Sequence, residues 1–524
     1  MRATAPLPFP ASCPSPPAGA GCHSGRMSGC VLAIDLGTGG PKVALVTADG
    51  ATLGWRNRPV TTRRVAHDGY EQDPDEMWWA IIAAAREVLA EVAHPTVVAV
   101  AVTSQYMSTI PVRSDGQPTG PCILWMDTRG APHSQSLLTD DSFGLFVERH
   151  GLIPLPSGND NLAHAHVLET RHPEAFAAAE ALVEPMDYVV GRLTGHVSVT
   201  QSTAFGQIVC DNRVWDHAEY DPALVAAGRL EPSKLAPLRS MRGPAGELST
   251  AVAHELGLPS GVPVMPGSID SITSAVGSGA VSADRAAFVL GTTAVMVTHV
   301  DSFCGNVLSL PTVPSPVPGR WYVMAENGLG GRALEWAQGM FGFASAADAI
   351  TAAAEVDPGS EGLVFLPWLL GSIAPSPNDD VRAAFVGLGL GHDRRHAVRS
   401  VLEGVALNLA WMLPVVEEFT GHRYESLAFG GGGALSPLWG QVLADATGRR
   451  VERLAEPRAT NARGAAFLAF ADLGLLDLDD VAGLLRVDET HEPDPRHRGV
   501  MDQALETLTT LHPQLSLLAA RPRP

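Results

Sequence analysis

A short string occurs twice in this chain, each time inside a frame of β-forming residues: Leu36-Gly37-Thr38 and Leu290-Gly291-Thr292. Val31 to Asp35 leads into the first turn and Lys42 to Thr47 leads out of it; Ala286 to Leu290 and Ala294 to Val297 do the same for the second. Both flanks are strand-like, so each site reads as a β-hairpin. A dinucleotide-binding turn would place a helix directly after the glycines, whereas Val43, Ala44, Leu45 and Val46 continue in β-like composition, which argues against a Rossmann unit. Two related domains in one chain would produce such a repeat. Chance agreement between short turns is the alternative, because glycine suits any tight turn. A length of 524 residues leaves room for two or three domains.

Around the hairpins, apolar strand-like runs alternate with amphipathic helices, the pattern of an α/β protein. Asp73, Pro74 and Glu76 compose a helix start: a capping side chain, proline at the first helical position and a glutamate three residues after the cap. Met77, Ile81, Ala84, Val88 and Val92 follow at helical spacing, and His94-Pro95 ends the helix before a buried strand from Val97 to Val102. Next comes a polar loop, Thr103-Ser104-Gln105-Tyr106-Met107-Ser108. Loops at the carboxyl ends of buried strands are where open α/β sheets build sites. Val262 to Met265 reads as a strand before Gly267-Ser268-Ile269-Asp270-Ser271. Leu427-Ala428-Phe429 runs into Gly430 to Gly433, ahead of an amphipathic run from Trp439 to Asp445. Four glycines between a strand and a helix let a ligand approach the backbone closely, a place where a flexible linker would not sit.

Charge narrows the chemistry. The 36 basic and 56 acidic residues give a net charge of −20, which repels nucleic acid backbones and anionic membrane surfaces and excludes both as partners. Among the basic residues only Lys42 and Lys234 are lysines. A Walker A loop needs Gly-Lys followed by Ser or Thr, but Lys42 follows Pro41 and Lys234 follows Ser233. The His-Arg-Asp and Asp-Phe-Gly triplets of protein kinases are also missing. Six cysteines without a Cys-x-x-Cys pair fit a reducing cytoplasm. No apolar run approaches the roughly 18 residues of a membrane span. Residues 1–29, rich in Pro, Ala, Gly and Ser, are expected to be a disordered extension, with Met27 as a candidate start. His164 and His166 lack a third ligand at zinc spacing and are expected to cap or pack a helix.

In this order and spacing, the Gly37-Thr38 and Gly291-Thr292 turns, Asp270, and Phe429 to Trp439 ahead of Ala444-Asp445 resemble the FGGY carbohydrate kinases. Supporting strings are Glu71-Gln72-Asp73-Pro74, Leu124 to Arg129, Glu184 to Tyr188, Arg192 to Gly195, and His396 with Arg399 to Gly404; together they span about residues 30 to 490. The resemblance implies an α/β, two-domain actin-like ATPase (ribonuclease H-like) fold with a cleft between domains. Its expected division is an extension at 1–29, an N-terminal kinase domain at 30–275, a C-terminal kinase domain at 276–490, and a C-terminal helix and tail at 491–524. It also implies ATP and Mg, and transfer of the γ-phosphoryl group to a hydroxyl of a small sugar or polyol, xylulose first. Dimers are common in the family, so a homodimer is a further expectation.

The same resemblance implies residue roles. Asp270 would be the general base and would touch the acceptor; Asp35 would hold magnesium through water. Backbone groups of Gly37, Thr38 and Gly39 and of Gly291, Thr292 and Thr293 would cradle phosphates, with Lys42 as the basic residue after the first turn. Gly331, Gly431, Gly432 and Ser436 would contact the nucleotide, and Gln105, Tyr106 and Met107 the sugar. Structural alternatives stay open: a helix N-cap for Asp270, a turn cap for Asp35, a solvated lysine for Lys42, and core packing for Tyr106, Met107 and Gly331. Three positions depart from the xylulose-phosphorylating pattern, all where acceptor identity is set. Tyr106-Met107 replaces a Met-His pair, Ser271 replaces an amide side chain, and Gly371-Ser372-Ile373 replaces Gly-Glu-Arg. An actin-like ATPase and a non-catalytic sugar-binding relative remain as competing functions.

Overall fold

The computed structural model describes residues 29–138, 142–307, 310–378 and 380–519; the expected extension and Met27, apart from Gly29, lie outside them. The first sheet begins with β1 (Gly29–Gly37), β2 (Gly40–Thr47) and β3 (Thr52–Asn57), followed by helix α1 (Pro74–Glu91) and strand β4 (Thr96–Ser104). Short strands β5 (Gly246–Glu247), β6 (Pro263–Val264) and β7 (Ser268–Ile269) join much later, and helix α2 (Asp270–Gly277) follows at once. The strand order is β5-β6-β4-β1-β2-β3, with β7 also on β4. β1 and β2 are antiparallel, β2 and β3 antiparallel, and β4 runs parallel to β1.

The second sheet repeats that plan. It contains β8 (Ala287–Leu290), β9 (Thr293–Val300), β10 (Asn306–Val307), β11 (Leu310–Pro314) and β12 (Trp321–Leu329). Helices α3 (Gly331–Phe341) and α4 (Arg394–Thr420) separate these from β13 (Ser426–Gly430), α5 (Pro437–Thr447), β14 (Arg450–Leu454), α6 (Thr460–Asp472), β15 (Val487–His491) and α7 (Arg498–Ala519). The order is β10-β11-β12-β9-β8-β13-β14-β15. β8, β9 and β12 form an antiparallel meander like β1, β2 and β3, and β13 runs parallel to β8 as β4 does to β1. The repeated hairpins therefore open two sheets of one topology, the two-domain actin-like plan.

Side chains alternate across each strand, so each sheet feeds two cores. Leu32, Ile34, Val43, Leu45, Val100 and Val102 pack with Met77, Ile81 and Val88 of α1. On the opposite face Val31, Ala33, Ala44, Val46, Ala99 and Ala101 pack against Ala462, Ala465, Ala466, Ala469 and Phe470 of α6. A helix from late in the chain thus covers the first sheet. Phe288, Leu290, Ala294 and Met296 belong to the second core, which α4 fills from within. Residues 275 and 276, where the sequence division was drawn, lie inside α2.

Two local expectations change. Asp73 caps α1 by accepting from the Asp75 N–H, but Glu76 does not complete a capping box. Its carboxylate instead accepts from the Thr61 N–H at 2.9 Å and the Thr61 hydroxyl at 2.8 Å, tying the preceding loop to the helix. Contrary to the hydropathy expectation, α4 is long and apolar enough to cross a membrane; 78% of its apolar window is buried, against α3, α5 and α7 among others. A core helix surrounded by packed elements needs apolar residues all round, and so passes the same test.

α2 and α6 cross almost backbone to backbone. A Cβ on Gly464 would lie 1.8 Å from the Thr273 carbonyl oxygen, and one on Gly277 would lie 2.0 Å from that of Thr460. Gly464→Ala must push the helices apart, and overpacking of this kind costs about 1–3 kcal/mol. The unfolding midpoint is expected to fall by several degrees in a thermal scan. Gly483→Ala, where an added Cβ meets nothing within 4 Å, should leave it unchanged.

Candidate active site

Strand register brings the acidic candidates together. β4 pairs β1 through Asp35↔Thr103 and Leu36↔Ser104, and pairs β7 through Ser268↔Thr103 and Ile269↔Ser104. Asp35, Gln105 and Asp270 therefore share the carboxyl edge of the first sheet. Asp270 is the first residue of α2, with Ile269 in the cap position, so it is not the N-cap. Burial, and next the charge of Asp35, push the Asp270 carboxyl up to about 7, while the Ser271 N–H and Lys42 oppose the shift. Asp35, 2% exposed, accepts from Lys42 Nζ at 3.0 Å, its register partner across the hairpin. The charge of Asp35 raises the Lys42 pKa, and Arg458 opposes it. Asn461 of α6 donates to the second oxygen of Asp35 at 3.5 Å and accepts from Ser274 of α2, joining both halves at this carboxylate.

Three backbone segments meet at the second hairpin. The Gly331 N–H donates to the Gly291 carbonyl at 2.8 Å, and the Gly330 N–H to that of Thr292 at 3.1 Å. Gly431, at φ +84°, sits so close that a Cβ would lie 2.5 Å from the Leu290 carbonyl oxygen. Only glycine combines that conformation with that approach. Gly291, Thr292 and Gly432 are exposed along this rim, and Thr293 is half-buried. The Gly431 N–H binds the Pro457 carbonyl, and the next residue, Arg458, lies near Lys42 of the first hairpin. Arg458 escaped sequence reading because no motif marks it. Ser436 is occupied otherwise: its hydroxyl accepts from the Trp439 N–H and caps α5.

The first hairpin is braced from the side. The Thr38 hydroxyl donates to Gln105 Oε1 at 2.6 Å and accepts from Trp125 Nε1 at 3.0 Å; the Thr38 carbonyl accepts from Gln72 at 2.7 Å. Gln105 also donates to Gln72 at 3.2 Å, so both ends of its amide are engaged. Gly39 is exposed at the tip of the turn, beside Gly37. Met107, at φ +56°, and Ser108 donate their N–H groups to the two oxygens of buried Glu184, at 2.9 and 3.0 Å. Glu184 thereby pins the loop that presents Tyr106. Arg129 pairs with Asp127 and Glu71 in a largely buried network, and His172 Nε2 lies 3.0 Å from the Glu71 carboxylate. His164 is buried against Thr109, and His166 stacks on His133, so the two histidines serve packing.

Around Tyr106 the structure adds residues that motif reading missed. Tyr106 donates its hydroxyl to Met324 Sδ at 3.3 Å. Beside it on β12 stand Tyr322, 1% exposed, and Glu326, whose charge acts on Tyr106, Tyr322 and Asp270. Burial pushes the Glu326 carboxyl up to about 7. An acid on the strand face that Tyr322 and Met324 share was the available signal. Adjacent carboxylates, a lysine and exposed backbone groups around a glycine rim suit a ligand carrying several phosphates beside a group that gives up a proton.

The model for the FGGY family of carbohydrate kinases, N-terminal domain, matches residues 30–277, and that for the family's C-terminal domain matches 286–473. The chain is 28% identical over 491 residues to a protein named xylulose kinase from Escherichia coli (strain K12), covering 93% of this chain and 100% of that one. It is 24% identical over 489 residues to a gluconokinase of Bacillus licheniformis, covering 91% and 94% respectively. The crystal structure of xylulose kinase from Rhodospirillum rubrum superposes with a TM-score of 0.81 at 26% identity, covering 94% of this chain and 100% of that one.

Carbon-detected NMR of the side-chain carboxyls should show Asp270 titrating near pH 7. Asp35→Asn removes a like charge and should move that titration down. Lys42→Met removes a favourable charge and should move it up. A titration of Asp270 near pH 4 in the native protein would contradict the site as described.

Proposed function

The chain belongs to the FGGY family of carbohydrate kinases, and from that membership we propose that it transfers the γ-phosphoryl group of ATP to a hydroxyl of a small sugar or polyol, with Asp270 as general base. The observation that carries the reading is Asp270 itself: a carboxylate raised by burial and by Asp35, at the head of α2, on the edge where both halves of the chain meet. A carboxylate of this kind can take the proton of an alcohol as that alcohol bonds to phosphorus, because the hydroxyl becomes acidic only in that step. Backbone groups of the Gly37 to Gly39 and Gly291 to Thr293 turns, with Gly331, Gly431 and Gly432, would hold the nucleotide. Lys42 and Arg458 would balance phosphate charge.

Magnesium fits the donor set at Asp35. One buried carboxylate is offered, and among the described residues no cluster of three His, Cys, Asp or Glu side chains forms a protein-only cage. That suits an ion which keeps its waters and arrives with phosphates, and which would neutralise their oxygens once bound. Asp35 would hold it, and Lys42 and Asn461 would fix the carboxylate. The names of the relatives support xylulose as the first acceptor to try. Tyr106, Met107 and Ser271 differ from the xylulose-phosphorylating pattern at the acceptor side, so related ketoses and polyols follow.

ADP release measured against a panel of ketoses, polyols and sugar acids should rise with one class of acceptor. Asp270→Asn should lower that turnover by about 10³-fold or more while ATP affinity stays within a few-fold. Because the base must be unprotonated, kcat/KM for the acceptor should fall about tenfold per pH unit below the Asp270 pKa, which magnesium at Asp35 would bring below its metal-free value of about 7. ATP binding with no stimulation by any acceptor would instead favour a nucleotide-driven switch.

A further inference from the structure

β12 alternates strictly. Trp321, Val323 and Ala325 point into the second core. Tyr322 and Met324 point the other way and pack with the first core, where Tyr106 and Met107 also lie. Glu326 continues that second face, at a position where the alternation calls for an apolar side chain. Its carboxylate has no hydrogen-bond or ion-pair partner among the described residues, and its backbone carbonyl is held by the Ala374 N–H at 3.1 Å. The strand is thus fixed while the acid is unmatched.

Its surroundings are equally unmatched. The buried hydroxyls of Tyr322 and Ser271 face each other at a geometry short of a good hydrogen bond, and neither has another partner among the described residues. Tyr106 is satisfied only by a thioether, a weak acceptor. A partly buried carboxylate and two orphaned hydroxyls beside a general base form a set of two donors and a strong acceptor with nothing to bind. Buried polar groups are usually paired with protein or with water, so an acid and hydroxyls left unmatched side by side call for an explanation, and a hydroxylated ligand between them supplies one.

We propose that Glu326 is a specificity-determining residue for the phosphoryl acceptor: its carboxylate accepts hydrogen bonds from hydroxyls of a neutral sugar or polyol and repels acceptors that carry a carboxylate of their own. The proposal rests on the reading of Asp270 as the base of a sugar kinase and divides the acceptor classes that reading leaves open. A neutral polyol offers O–H donors to an anionic acceptor, the stronger kind of hydrogen bond. Above about pH 7, where both carboxyls are ionised, a sugar acid would bring a third negative charge next to Glu326 and Asp270, in a space where partial burial strengthens repulsion. Specificity by unfavourable charge needs no extra contact with the favoured acceptor.

The test compares the full chain and its Glu326→Gln variant, which keeps the shape and removes the charge. kcat/KM is measured by ADP release at about pH 8, above the titration of both carboxyls, with xylulose, with a linear polyol and with gluconate, under saturating ATP and magnesium. The wild type should prefer the neutral acceptors by about 100-fold or more. Glu326→Gln should shrink that preference by at least about tenfold, through a raised KM for the neutral acceptor and a lowered one for gluconate. A ratio unchanged within about threefold, or a wild type that prefers gluconate, would overturn the assignment. Calorimetric binding of the same three compounds to both proteins gives a separate readout. A wild type that binds neutral acceptors in a Glu326-dependent way without releasing ADP supports Glu326 and sinks the kinase reading. A wild type that binds none of them overturns Glu326 as well.

Discussion

The crossing of α2 and α6 is the constraint on which the rest of the molecule turns. α2 ends the first half of the chain and carries Asp270 at its head; α6 comes from the second half and covers the first sheet. Their backbones approach so closely that Gly277 and Gly464 leave no room for a side chain. Thr273 also reaches Thr103 of β4 at 2.9 Å, and Asn461 reaches Asp35. A helix pair packed at backbone distance has little freedom to slide. Asp270 is therefore held against both sheets without lying at the centre of either core.

Two sheets of the same topology carry hairpins with different surroundings. The first hairpin is braced by Gln105, Gln72 and Trp125 and has Lys42 and Asp35 facing across it. The second is exposed and is drawn to Gly331 and Gly431 by backbone contacts. A chain with two lysines can hold a polyphosphate this way, because fixed N–H dipoles attract anions without a mobile cation and need little reorganisation. Lysine scarcity and glycine-rich turns are two sides of one arrangement.

Glu326 sharpens the proposed chemistry. Asp35 is matched by Lys42, whereas Asp270 and Glu326 are raised by burial and are left near each other. An unmatched pair of carboxylates is costly unless something that donates hydrogen bonds sits between them. The overall charge of −20 says nothing about this, since it is spread over the whole surface. In the proposed reading, discrimination between acceptors comes from a single carboxylate on the strand face shared with Tyr322 and Met324.

Much of this was legible in the residues. The twin hairpins, the α1 start at Asp73-Pro74, the strand before Gly430 and the helix after Ser436 follow from local periodicity and turn chemistry, because short-range sterics and hydrogen bonds determine them. The candidate list for the site was legible as well, Asp35 and Asp270 included. Local pattern could not tell that Glu76 would bind Thr61, that Ser436 would be used as a cap, or that both ends of Gln105 would be engaged. It did not single out Glu326 or Arg458. The Ser436 cap and the Glu76 contact are short-range choices among several a polar side chain could make, whereas the surroundings of Gln105, Glu326 and Arg458 depend on strand register and on segments from distant parts of the chain. The sequence by itself determined which elements form and which polar residues stand at their ends. Only the tertiary structure decided which of those residues lose water, and which find a partner, because desolvation and pairing are set by neighbours hundreds of residues away.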